Sequence, residues 1–225
     1  MSRRIEEIPS PNHDARPDGG AVDMLVVHYT GMQSATAARD RLCDPASKVS
    51  AHYVIDEDGS VAALVPEDRR AWHAGVSFWR GRTDINARSV GVELVNPGHE
   101  YGYRPFPEPQ MAAFEALAKA ILGRHPIPAR NVVGHSDVAP RRKEDPGELF
   151  DWRRLAGCGI GLWPEATASA ESADAAQMLA RFGYETEDAA ATLRAFQRRF
   201  RPARIDGVAD AETASLLADL LRRVE

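Results

Sequence analysis

SVGVELV at residues 89–95, EPQMAAFEALAKAILGR at 108–124 and NVVGH at 131–135 decide the fold class. The first and last are short, valine-rich apolar runs of the kind that form buried strands. Between them Met111, Phe114, Leu117, Ala118, Ile121 and Leu122 recur at helical spacing and mark one apolar face. A helix between two apolar strands predicts a sheet covered by helices. Toward the N-terminus, MLVVHY (24–29) predicts a further buried strand. SATAARDRLC (34–43) predicts a short helix with a Ser or Thr cap. AHYVID and SVAALV flank Glu57-Asp58-Gly59 and predict a β-hairpin. The expectation is an α/β protein, a mixed central β-sheet flanked by helices, with a small all-α unit after it.

That unit is predicted from the last 50 or so residues, which carry no strand signal and read as short helices: DAAQMLARFGY, EDAAATLRAFQRRF and DAETASLLADLLRRV. Four segments follow: an extended arm over 1–20, the main domain over 21–163, a polar linker over 164–174 and the helical unit over 175–225. Phe196 and Phe200 lie four apart, the spacing of a bundle core pair. Removing residues from about 170 onward is expected to leave the main domain working if the helices are a separate module, or to lower its stability and solubility if their apolar faces brace that domain.

The chain has 225 residues, 44% apolar and 27% charged, ordinary for a globular protein. A net charge of -5 gives no electrostatic reason to expect nucleic acid. Cys43 and Cys158 have no CxxC spacing and read as two free thiols. No run approaches the roughly 18 apolar residues of a membrane span. The first residues are polar and contain no apolar signal core, so a cytoplasmic location is expected, or a periplasmic one where a signal has been removed.

Two apolar runs end in histidines, His28 and His135. Two imidazoles and a carboxylate make a hydrolytic zinc site, leaving the fourth tetrahedral position for water. Asp137 and Asp145 both follow His135 closely; the first shares its strand face if the strand continues, and the second lies in a Pro-Gly turn. Val90, Val92 and Leu94 take one face of their strand, so Glu93 lies on the other, as a general base or as a solvated charge. Lys143 reads either as surface charge in the Arg-Arg-Lys run or as a stabiliser of an oxyanion. Arg141 and Arg142 are expected in solvent. His73 is a further imidazole; as a fourth protein ligand it would close the site, so contact with a substrate is expected instead. Trp72, Phe78 and Trp79 read as an apolar wall or as core. Asn86 is a candidate substrate contact, and His52 a structural histidine.

MLVVHYTGM, VSAHYVIDEDGSV, AWHAGVSFWRG, NARSVGVELVNPG and GHSDVAPRRKEDPGELFDW occur in the order seen in zinc-dependent N-acetylmuramoyl-L-alanine amidases of the AmpD/AmiD type. These enzymes are related to phage lysozyme-like amidases and peptidoglycan recognition proteins. The resemblance covers about residues 10–163. LARFGY, LRAFQRRF and IDGVADAETASLL look like a small peptidoglycan-binding helical domain. The resemblance implies a zinc groove at one end of the sheet and hydrolysis of the amide between the lactyl group of N-acetylmuramic acid and L-alanine. It assigns zinc to His28, His135 and Asp145, general base catalysis to Glu93 and oxyanion stabilisation to Lys143. His73, Asn86 and Trp72 are then expected to hold peptidoglycan or muropeptide fragments. Two rival readings are a non-catalytic peptidoglycan receptor on the same fold and a zinc peptidase acting within the stem peptide.

Overall fold

The structure, a computed structural model, describes residues 5–17, 20–165 and 175–225. Most of the expected linker, 166–174, therefore lies outside the described residues, as do 1–4, 18 and 19. The strands are β1 (Glu6–Glu7), β2 (His13–Ala15), β3 (Met24–Tyr29), β4 (Tyr53–Ile55), β5 (Val61–Ala63), β6 (Arg69–Ala71), β7 (Ser89–Leu94) and β8 (Val132–Gly134). The helices are α1 (Ala35–Cys43), α2 (Gly98–Tyr101), α3 (Glu108–Arg124), α4 (His135–Val138), α5 (Trp152–Gly157), α6 (Ala175–Phe182), α7 (Ala189–Phe200) and α8 (Ala211–Val224). Six strands form one mixed sheet in the order β1-β5-β4-β7-β3-β8, and β2 pairs with β6 in a second. The four strands β4, β7, β3 and β8 are mutually parallel, and β5 returns antiparallel as the expected hairpin. Ser34 caps α1 by accepting the Ala37 N–H. Cys43 and Cys158 are free thiols. Among the described residues no helix is long and apolar enough to cross a membrane.

Strand β3 is buried on both faces, which explains its unbroken apolar run. Leu25 and Val27 join α3, Phe150 and α5 in one core. Met24 and Val26 point the other way, into a core shared with Trp79, Ile85, Val133 and the apolar faces of α6, α7 and α8. The helical unit is thus the second layer over the sheet. Trp79 is fully buried and meets Phe182 and Tyr184 edge-on, at centroid distances of 6.0 and 5.0 Å. The tolerance to truncation expected of a separate module does not follow from this packing. Each large apolar side chain re-exposed costs about 1.5–3 kcal/mol. Removing residues 166–225 is expected to lower the melting temperature by more than about 10 °C or to leave the protein insoluble; thermal unfolding of both forms checks this.

The segment expected as an arm is woven into the body. Ser10 and Asn12 are buried, with Ser10 Oγ donating to the Leu42 carbonyl (2.5 Å) and Asn12 Nδ2 to those of Asp44 (2.8 Å) and Val49 (2.9 Å). Arg16 donates to the carbonyls of Glu67, Asn86, Ala87 and Ser89.

Glu67 ties β4 to the end of α3, accepting from Tyr53 Oη (2.7 Å), Arg124 Nη2 (2.6 Å) and His125 Nε2 (2.6 Å). Burial pushes its carboxyl up, but the hydrogen bonds from Arg124, Tyr53 and His125 outweigh this and lower it from 4.5 to about 2. A depressed acid stabilises the fold above its unfolded value and loses that stabilisation as pH falls toward its folded value. Glu67→Gln is therefore expected to cost about 1–3 kcal/mol at pH 7, with screening at half-exposed Arg124 trimming the full linkage value. The difference from wild type should close between pH 4.5 and 2, as read by denaturant unfolding across that range.

Candidate metal centre and catalytic groove

The chemistry-bearing residues collect at the carboxyl ends of three adjacent parallel strands, where open α/β sheets place their ligands. His28 is the penultimate residue of β3, and Glu93 is its register partner on β7. Strand β8 stops at Gly134, so His135 opens the short helix α4 instead of ending the strand. Asp145 lies in the loop that follows. A cavity of about 870 Å³ opens here, lined by His28, Glu93, His135, Lys143, Asp145 and Trp72 among others.

His28 Nδ1, His135 Nδ1 and Asp145 Oδ2 form a nearly equilateral triangle with sides of 3.0, 3.0 and 3.1 Å. All three residues are buried. The hydrogen bonds behind them fix which nitrogens carry protons. Ser89 Oγ donates to the Ile85 carbonyl (2.7 Å) and so accepts from His73 Nε2 (3.0 Å). His73 Nδ1 is then an acceptor and takes the Nε2–H of His28 (3.0 Å). His28 Nδ1 is left as a bare lone pair. Burial, with the neighbouring His135, lowers His28 to about 4, so its ring is neutral at pH 7. On His135, Nε2–H donates to the Ala74 carbonyl (3.1 Å), and Nδ1 faces the same point. Burial alone would raise Asp145, but His135 and His28 hold it below the ordinary carboxylate range. Three donor atoms thus converge on one point, an arrangement that a cation satisfies. Ligands about 2.0–2.1 Å from a tetrahedral ion lie about 3.3 Å apart, close to the observed spacing. Two imidazoles and one carboxylate are a donor set that suits zinc.

Asp137, the spacing-based alternative, points away. Its carboxylate caps Gly134 N–H (2.8 Å), accepts from Tyr184 Oη (2.6 Å) and pairs with Arg199. Glu93 projects into the cavity beside His28, and its Oε2 is buried without a hydrogen-bond partner. Burial and the charge of Asp145 raise it well above the ordinary range, while Lys143 opposes them. Trp72 lines the cavity half-buried, whereas Trp79 is core.

His73, expected to contact substrate, lines the cavity, and both it and Asn86 also hold other parts of the site. Both His73 ring nitrogens are engaged, by His28 and Ser89, and its ring lies over Gly91. A Cβ at Gly91 would come within 2.5 Å of His73 Cγ, so only glycine lets the imidazole pack against the sheet. Asn86 Oδ1 accepts the N–H groups of His73 (3.1 Å) and Ala74 (2.8 Å), holding the loop whose carbonyl meets His135. Arg142 is exposed but donates to the Ala74 and Val76 carbonyls of that loop, so it is not merely solvated. The role of Ser89 exists only through space, and nothing local in the sequence marks it.

The profile of the N-acetylmuramoyl-L-alanine amidase family matches residues 18–148. The chain belongs to this family. AmiD from Escherichia coli K12 is 37% identical over 232 residues, covering 90% of this chain and 83% of that protein. AmpD from Enterobacter cloacae, a 1,6-anhydro-N-acetylmuramyl-L-alanine amidase, is 37% identical over 66% of this chain and 86% of its own length. The solved structure of E. coli AmiD with the substrate anhydro-N-acetylmuramic acid-L-Ala-D-gamma-Glu-L-Lys superposes with a TM-score of 0.81 at 36% identity. That match covers 99% of this chain and 93% of the other. The amidase is therefore an enzyme of peptidoglycan breakdown, hydrolysing the bond between N-acetylmuramic acid and L-alanine.

Proposed function

We propose that this amidase is zinc-dependent, with His28, His135 and Asp145 as the protein ligands. The observation that carries the reading is the convergence of three buried donor atoms at the rim of a cavity that also holds Glu93. When bound, the ion supplies Lewis acidity, polarising a carbonyl and making water nucleophilic near neutral pH. Glu93 accepts a proton from the attacking water and delivers it to the amide nitrogen as the C–N bond breaks. Its burial keeps it basic enough for that exchange. Lys143 stabilises the negative charge that develops on the carbonyl oxygen. The products are a lactyl carboxylic acid and a stem peptide with a free L-alanine amine. Trp72 offers an apolar wall to the sugar or the peptide.

Its substrates, on this reading, are soluble anhydro-muropeptides of the kind bound by the E. coli relative. We take residues 21–163 as the catalytic domain, 164–174 as a linker and 175–225 as a peptidoglycan-binding-like helical unit. Incubation with anhydro-N-acetylmuramyl tripeptide, followed by mass spectrometry, tests the reaction. Release of intact tripeptide is expected. Cleavage between stem residues would point to a peptidase, and binding without release to a receptor. Parallel digestion of intact sacculi tests the preference for soluble fragments.

A further inference from the structure

Two of the three candidate ligands, His135 and Asp145, lie on one segment running from Gly134 to Asp145, and α7 holds that segment near both ends. At the first end, Arg199 donates through Nη1 to Asp137 Oδ2 (2.7 Å) and through Nη2 to the Val132 carbonyl (2.8 Å). Both charged side chains are almost wholly buried, at 2% and 1% exposure. The guanidinium also stacks 4.2 Å over Trp152. Asp137 in turn fixes Gly134 N–H, the peptide that launches His135. At the other end, Arg198 Nη2 donates to Glu144 Oε1 (2.9 Å), one residue before Asp145. Consecutive arginines on one helix thus hold the segment next to each ligand, near His135 through the Val132 carbonyl and the Asp137 carboxylate, and beside Asp145 through the Glu144 carboxylate.

We infer that α7 is a clamp that sets the separation of His135 and Asp145, with Arg199 as a positioning residue for metal binding. The inference rests on the metal reading above. A free loop would pay entropy to bring the two donors together at each binding event; a loop held at both ends has them placed beforehand. A bundle that served only to bind wall polymer would have no need of a buried ion pair two residues from a metal ligand.

The test measures zinc affinity of the full-length chain by competition with a chromophoric chelator. Arg199→Met is expected to weaken zinc binding about 10–100-fold, the usual effect of losing a group that orients a ligand. Arg199→Lys, which keeps the charge and one donor, should fall between Arg199→Met and wild type. Leu217→Ala, in the same shared core but with no part in the polar contacts to the segment, controls for lost stability: it should lower the melting temperature while leaving zinc affinity within about twofold. Should Arg199→Met not fold, Arg198→Gln, whose partner Glu144 is half-exposed, still reports the clamp, with an expected weakening of about threefold or more. Zinc constants for the arginine variants that match Leu217→Ala would overturn the clamp alone. Failure of the wild-type chain to bind zinc would overturn the metal reading beneath it.

Discussion

Glu93→Gln should keep its zinc and lose on the order of 10²–10⁴ in turnover, the usual size of general acid–base catalysis. The substitution preserves shape and removes the ability to take a proton. Glu93 stands next to His28 across the β3–β7 ladder, but it is not a corner of the donor triangle. Metal content by atomic absorption should therefore stay near wild type. Its Oε2 has no hydrogen-bond partner, so the neutral amide leaves no new charge uncompensated. The pH profile adds a second readout. Burial raises Glu93, so the limb of kcat/KM that requires its ionised form should lie above the ordinary carboxylate range and vanish in the variant. Loss of zinc with the substitution would make Glu93 a ligand. An unchanged rate would make it sheet surface.

Removing the metal should have the largest effect of all. Dialysis against a chelator is expected to abolish release of stem peptide, and stoichiometric zinc to restore it. His28→Ala and Asp145→Ala should each bind less than one zinc per chain. Asp145→Ala also leaves two imidazole nitrogens facing each other 3.0 Å apart, a spacing that one proton can bridge. That variant is therefore expected to fold. The metal-free wild type should melt at lower temperature than the zinc form, and the gap should widen with free zinc as mass action requires. Full activity in metal-free protein would sink the zinc reading.

The parts of this molecule that sequence reveals are those whose cause is local. The bounds of α3 follow from the periodic apolar residues between Met111 and Ile121 and from the Pro126 that stops them. Strands β3 and β7 follow from valine runs that are buried on both faces. His28 and His135 stand out because they interrupt such runs. Strands β1 and β2 were hidden: Glu6–Glu7 and His13–Ala15 have no apolar alternation and are held by backbone pairing and by polar contacts such as Asp14 with Arg70, which only the folded chain brings together. The docking of α6–α8 was hidden for another reason. An amphipathic helix shows the same pattern whether its apolar face meets another helix or a sheet. The hydrogen bonds of His73 and Asn86 are not legible in the sequence, because their partners, Ser89 and the 73–74 backbone, become close only after folding. Arg199 looked like any basic residue at the end of a helix.

The ligands also lie far apart along the chain. His28 is 107 residues from His135 and 117 from Asp145. In the unfolded chain only His135 and Asp145, ten apart, can meet cheaply. The third corner waits until β3 has inserted between β7 and β8, a late event for parallel strands so distant in sequence. The order of assembly is thus polypeptide first, ion second. The refolding rate should be indifferent to zinc, and the ion should act on the return journey by slowing the escape from the finished fold.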